Sequence, residues 1–318
     1  MNAKVKVKKL IIVLILLLLI QLTALSVQGG SLKGKTGTIK EIAPGVYLEI
    51  GSDYYLITAP LNRRYKLITT YHPWQTIEGH AQVYHKENTD TTYQFKEAIA
   101  AINGAFFWNH MGKQWISGEV IAEGEVYTPD GLLVNKRLGI RSIFRYYFVM
   151  KDSGVEQIFR FGMLEQKSIY DQAKDMKLDV GVIPDVIEES NKILKEEVAG
   201  GVGGLGLLIK NGQIAVSENR DKFTYRQLMA TGRTALGINH SQDKAYLFLG
   251  RKVGGKWTPS QVADILLKKG VYNALFMDGG RGAQMWYRNC EESIYGLEER
   301  LNINYNIPNA IMLIEVGE

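Results

Sequence analysis

The chain has 318 residues, 46% of them apolar and 22% charged, a balance that excludes a disordered or fibrous polymer and suffices for a sizeable core. Its formal charge of +5 falls to about +1 once the four lysines ahead of residue 10 are set aside, so no basic footprint for nucleic acid remains. A single cysteine, Cys290, excludes an internal disulfide, and its thiol is read as structural.

Lys4, Lys6, Lys8 and Lys9 precede the run LIIVLILLLLIQLTALSV, and no acidic residue occurs before Glu41. A basic head followed by an apolar stretch is the layout of an export segment. The unbroken run from Leu10 to Ile20 is short of the roughly 20 residues that cross a bilayer, although Gln21 to Val27 can extend it. Ala24 to Ser26 offers a small-residue cleavage site. Residues 1–30 are therefore expected to be a signal peptide or a retained membrane anchor, with one exported domain over 31–318, secreted or held at the membrane.

Between Gly37 and Tyr84 the runs GVYLEI, DYYLITA and YKLITTY alternate with turn residues and read as strands. YQFKEAIAAINGAFFW predicts a helical turn or two, then a strand ending at Asn103-Gly104. A helix is predicted from Pro184 to about Val198, with proline in its first turn and glycines behind it. RTALGINHSQDKAYLFLG reads as two strands joined by a polar turn over 239–244. TPSQVADILLKKG predicts a helix capped by Thr258, with Pro259 in the first turn, Gln261 completing a capping box and Gly270 ending it. Tyr272 to Met277 reads as a short buried strand with Asp278 at its C-terminal edge. In open α/β sheets that edge borders a ligand crevice, and Gly279, Gly280 and Gly282 allow close approach to the backbone. The fold class expected is α/β, mixed and strand-rich, in one domain after the N-terminal segment.

Four segments, in order, resemble the phosphodiester glycosidase family: AAINGAFFW (100–108), GGVGGLGLLIKNG (200–212), GRTALGI (232–238) and ALFMDGGRGAQM (274–285). SGEVIAEGEVY (117–127) and the capped helix before the last segment fit the same layout. The resemblance implies an α/β fold and hydrolysis of the bond between a sugar's anomeric carbon and a phosphate, with an N-acetylglucosamine 1-phosphodiester as the model substrate. Export would direct that activity to envelope or exopolysaccharide glycan. The chain departs from the family after Asp-Gly-Gly, where Arg281, Gly282 and Ala283 replace glycine and small hydroxylated residues. It also lacks a proline near Leu205-Gly206, and has LGRK where the family has Asp-Gly.

The chemistry can be argued from the residues themselves. Cleavage at the sugar carbon releases a phosphate monoester whose second pKa is about 6, so the leaving group needs little protonation. The site needs a donor fork on phosphate and negative charge near an oxocarbenium-like sugar. Arg233 suits the first role and Asp278 the second, as nucleophile, base or electrostatic stabiliser. Asn103 offers a donor and an acceptor for sugar hydroxyls, and Phe106, Phe107 or Trp108 can stack on a sugar. Gly104, Thr234, Gly279, Gly280 and Arg281 complete the expected substrate contacts. Each has a bland competitor: a structural ion pair for Arg233, an Asx turn for Asp278, a hairpin turn for Asn103-Gly104, and core packing for the aromatics. GGVGG is either a crossing point or a close-packed strand. A second carboxylate among Glu119, Glu123 and Glu125 competes with a solvated strand face.

A non-catalytic binder of anionic glycans on the same fold is the second reading. A metal-dependent phosphodiesterase is the third, but the spacings of His72, His80, His85 and His110 match no metal motif. Neither metal nor cofactor is expected, and the partners expected are a sugar-phosphodiester or glycan, plus the membrane if the N-terminal segment is retained.

Overall fold

Successive side chains of an extended chain point to opposite faces, and the central strands here carry near-continuous apolar runs that bury both. The computed structural model describes residues 37–87, 95–110, 113–117, 120–127, 132–135, 142–151, 154–163, 180–183, 198–216, 232–251, 257–290, 293–295 and 305–316. The N-terminal apolar segment lies outside them, as does the helix predicted from Pro184, apart from Val198, which begins a strand.

The elements that position the site are, in chain order, β1 (Tyr65–Gln75), α1 (Ile77–Glu87), β2 (Phe95–Asn103), β3 (Arg233–Asn239), α2 (Pro259–Lys268), β4 (Val271–Phe276), β5 (Gln284–Tyr287) and β6 (Ile307–Val316). One eight-stranded sheet runs, in spatial order, Thr38–Ala43, Val46–Ile50, Tyr54–Pro60, Lys244–Gly250, β3, β4, Gly206–Lys210 and Gln213–Ile214. A second has the order Ile294–Tyr295, β5, β2, β6, β1. A third joins Gly154–Met163, Ser142–Lys151, Val198–Gly204, Val120–Ala122 and Glu125–Val126. All three contribute to one core, in which Leu247 and Leu275 meet Ile99, Ile311, Phe144 and Val202.

The strand pairs predicted around the 239–244 turn and at Tyr272–Met277 are present, the latter as β4. Helix α2 carries the predicted capping box: Thr258 Oγ1 accepts from the Gln261 amide and Gln261 Oε1 accepts from the Thr258 amide. Its Val262, Ala263 and Leu266 pack on Ala235, Val271 and Phe276 of β3 and β4. Val198–Gly204 is the close-packed strand of the two alternatives, because a Cβ at Gly204 would lie 2.6 Å from the Phe276 carbonyl.

Three expectations are corrected. Every strand pairing among the described residues is antiparallel, so the crevice rule for parallel α/β sheets does not apply, and the strand-rich half of the expected class is what stands. The alanine-rich stretch from Phe95 is strand, not helix. As β2 it lies between β5 and β6, and burial on both faces overrides its helical propensity. Helix α1 falls where only strands were read. Ile77, Ala81 and Tyr84 recur at helical spacing and pack on Ala98, Ala101 and Met312, and Thr76 Oγ1 accepts from the Gly79 amide at the helix start.

Candidate active site

Residues 277–283 carry the chain from the end of β4, in the first sheet, to the start of β5, in the second. A crossing between sheets has no ladder to satisfy its backbone, so its polar groups must find partners one at a time. Met277 donates to the Thr234 carbonyl (3.1 Å), Asp278 to that of Gly104 (3.3 Å) and Gly280 to that of Gly232 (2.9 Å). The Asp278 carbonyl accepts from Thr234 Oγ1 (2.6 Å) and Asn103 Nδ2 (2.9 Å). Asn103 Oδ1 accepts from the Gln284 amide (2.9 Å), so one buried side chain fastens both ends of the crossing. The three sequence motifs containing Asn103-Gly104, Gly232-Arg233 and Asp278 thus meet at one point.

Asp278 is only 7% exposed. The turn Gly280–Gly282 folds over it so closely that a Cβ on Gly282 would overlap Oδ2. Burial pushes its pKa well above the usual carboxylate range, while a hydrogen bond from the Gly279 amide and the charge of Arg233 act against that rise. Arg233 is 2% exposed. Its Nε donates to the Trp257 carbonyl (3.1 Å), its guanidinium lies 4.9 Å from the Phe276 ring centroid, and a Cβ on Gly279 would come to 3.1 Å from Nη1. Burial lowers its pKa to about 10, partly offset by Asp278, which leaves it cationic at neutral pH. A buried cation and a carboxyl group thus flank a glycine-lined backbone.

The remaining predicted residues divide by position. Gly104 is buried, with its amide donating to the Asn309 carbonyl. Phe106 packs with the cluster beneath α2, whereas Phe107 is half-buried against the ring of Tyr305 (centroids 5.8 Å apart). Gly279 and Gly280 are half-buried and Arg281 is exposed above them. Glu123, in the hairpin turn after Val120–Ala122, and Glu125, which opens the strand after that turn, face solvent, and Glu119 lies outside the described residues.

Sequence reasoning missed Gln284, Tyr305 and Asn309. Gln284 Nε2 donates to the Tyr305 carbonyl (2.6 Å) and Oε1 accepts from the Ile77 amide at the start of α1 (3.3 Å). Asn309 Oδ1 accepts from the Ala105 amide (2.6 Å). The half-buried Tyr305 has a raised pKa, chiefly from burial, with the charges of Asp278 and Arg281 also acting on it. Tyr305 and Asn309 lie outside the quoted motifs, and Gln284, although inside 274–285, acts on distant segments, so none showed its role locally.

Among the described residues no group of three or more His, Cys, Asp or Glu side chains could hold a metal ion. His72 and His80 do approach, ring centroids 5.6 Å apart. Both His80 nitrogens are taken: Nε2 donates to the Ile307 carbonyl, so Nδ1 accepts from Thr70 Oγ1. No helix among the described residues is long and apolar enough to cross a membrane.

An arginine, a buried aspartate and a glycine turn thus meet where the chain crosses between two antiparallel sheets. The phosphodiester glycosidase family model matches residues 96–314, and the chain belongs to that family. The fold is that of the catalytic domain of zebrafish N-acetylglucosamine-1-phosphodiester alpha-N-acetylglucosaminidase, solved in a form auto-inhibited by its propeptide. The two are 17% identical over 90% of this chain and 88% of that one, with a TM-score of 0.50. A hypothetical protein from Synechocystis is 15% identical over 88% of this chain and 61% of that one, with a TM-score of 0.49. A search of curated protein sequences finds no match. The family points to a glycosidase-type hydrolase.

Proposed function

We propose that the domain hydrolyses a glycosyl 1-phosphodiester of the N-acetylglucosamine type, acting outside the cytoplasm on envelope or exopolysaccharide glycan. The observation that carries this reading is the placement of Arg233 against Gly279, beside the carboxyl of Asp278, by segments 45 positions apart in sequence. Water adds to the anomeric carbon, the bond from that carbon to the bridging oxygen breaks, and the phosphate monoester leaves with that oxygen. The guanidinium of Arg233 binds the phosphate oxygens and neutralises the charge that grows on them. Asp278, in its ionised form, stabilises the cationic sugar from the other side. Asn103 and Thr234 act by holding the Asp278 backbone, since their hydrogen bonds are made to it. Arg281 stands at the rim, placed to meet the group beyond the phosphate.

The test is product analysis with methyl-phosphate and UDP esters of alpha-N-acetylglucosamine in ¹⁸O-labelled water. Label in the free sugar, and none in the phosphate monoester, supports cleavage at carbon. Label in phosphate would show attack at phosphorus and overturn the mechanism. Arg281-Gly282-Ala283, standing where the family has hydroxylated residues, favours one rival, a glycan-binding domain without turnover. Retained glycan affinity in the absence of any product from the wild-type protein would decide for it.

A further inference from the structure

Strands β1 and β6 pair in register up to Tyr71 opposite Asn309, and pairing resumes at Gln75 opposite Ile307. His72, Pro73 and Trp74 therefore face the single residue Pro308. Proline on both sides removes the ladder donors at that point, and the surplus residues leave the sheet as a bulge. At its tip Trp74 has φ +66°, the left-handed region that a bulky side chain normally avoids. The bulge is fastened there: the Trp74 amide donates to Oε1 of buried Gln114 (2.7 Å), whose Nε2 donates to the Asn306 carbonyl (3.1 Å). Asn306 follows Tyr305, which packs on Phe107 and is held by Gln284 at the end of the Asp278 crossing. The bulge and the crossing are thus anchored to the same short segment.

Trp74 is 45% exposed. Backbone strain fixed by a buried amide does not serve the core when the side chain it presents points to water. Strain of this kind persists where it aims a side chain at something else. We propose that Trp74 is a stacking platform for a sugar unit beyond the one bound at Asp278, which makes the substrate a phosphodiester carried on an oligosaccharide or polysaccharide. A flat apolar ring with few rotatable bonds covers the C–H face of a pyranose at little entropic cost. The proposal rests on the reading of the Asp278 site as a sugar-phosphate site, and its test is one of binding, so the two can fail separately.

Titrating the full-length chain with the tetrasaccharides of N-acetylglucosamine and of glucose, with free N-acetylglucosamine as control, tests it. Trp74→Ala is expected to weaken the better tetrasaccharide about tenfold, with Trp74→Phe close to wild type. Turnover of the methyl-phosphate diester is expected to be unchanged in both. In the wild-type protein the indole N–H signal of Trp74, identified by its loss in Trp74→Phe, should shift with tetrasaccharide, a readout that does not depend on the stability of the alanine variant. Equal affinities in wild type and Trp74→Ala, an unmoved indole signal, or no binding of either tetrasaccharide would overturn the proposal. Trp74-dependent binding by a protein that hydrolyses no diester would keep the platform and remove the hydrolase reading.

Discussion

Two irregular segments adjoin strands of the second sheet, and they are built on opposite plans. The crossing at Asp278 is buried and closed, with its backbone groups matched to Thr234, Asn103, Gly104 and Gly232. The bulge at Trp74 is fastened by one buried glutamine, and its Pro73 and Trp74 face solvent. A low-dielectric site strengthens every polar contact and penalises every unpaired one, so the crossing can hold a carboxyl and a guanidinium in fixed relation. An exposed bulge cannot do that, but it can present an apolar surface without disturbing the core. On the proposed reading, chemistry belongs to the first and recognition of extended ligands to the second.

The largest effect that would break this contrast is at the carboxyl. Asp278→Asn should lower turnover of the methyl-phosphate diester at least about a thousandfold while keeping the thermal midpoint near wild type, because burial already favours the uncharged form. Turnover that survives would move the chemistry elsewhere. The pH profile sharpens the assignment. With Asp278 acting as an anion, the rate should rise with pH through a pKa above the ordinary carboxylate range; a rate that falls through that pKa would make the same group a proton donor.

A second test concerns stability and not rate. His80 is fully buried with both nitrogens engaged, and burial lowers its pKa to about 4 from an unfolded value of about 6.5. The unfolded chain then binds the extra proton between those values, so the contribution of His80 is fully present above pH 6.5 and is lost as pH falls toward 4. The ceiling is about 3 kcal/mol by the standard conversion per pKa unit. Urea unfolding of wild type and His80→Gln across that window should converge at low pH, and parallel curves would refute the assignment.

Asn103→Ala leaves the Gln284 amide without its acceptor and removes one donor from Asp278, and should cost about 2 kcal/mol by denaturant unfolding. It should lower turnover too, since the crossing loses its common fastener; a variant that loses stability with unchanged turnover would separate Asn103 from the site. The smallest effect belongs to the bulge. Trp74→Ala should change stability by no more than about 0.5 kcal/mol, as expected for a surface change away from the core, and a large loss would show that the indole is part of the fold.

Legibility followed the range of the interactions. Helix α2 was readable because its cap, first-turn proline and terminal glycine lie within thirteen residues. Strand β4 was readable because a short apolar run between turn residues has few other fates. Helix α1 was missed because its burial faces a sheet that includes β6, at the far end of the chain, and β2 was misread because alanine leaves the choice to its neighbours. In the site, Asp278, Arg233 and Asn103 stood out as residue types beside glycines. That Asn103 directs both amide atoms at the Asp278 crossing was not visible locally.

Sequence by itself therefore determined the family, the strand-rich composition and the residue types of the site, because local patterning and short motifs encode them. Only the tertiary structure decided that all described pairings are antiparallel, that Asp278 sits on a passage between two sheets, and that Trp74 stands out from a bulge tied to the same segment. Those features depend on hydrogen bonds and burial between residues far apart in the chain, and no single stretch carries them.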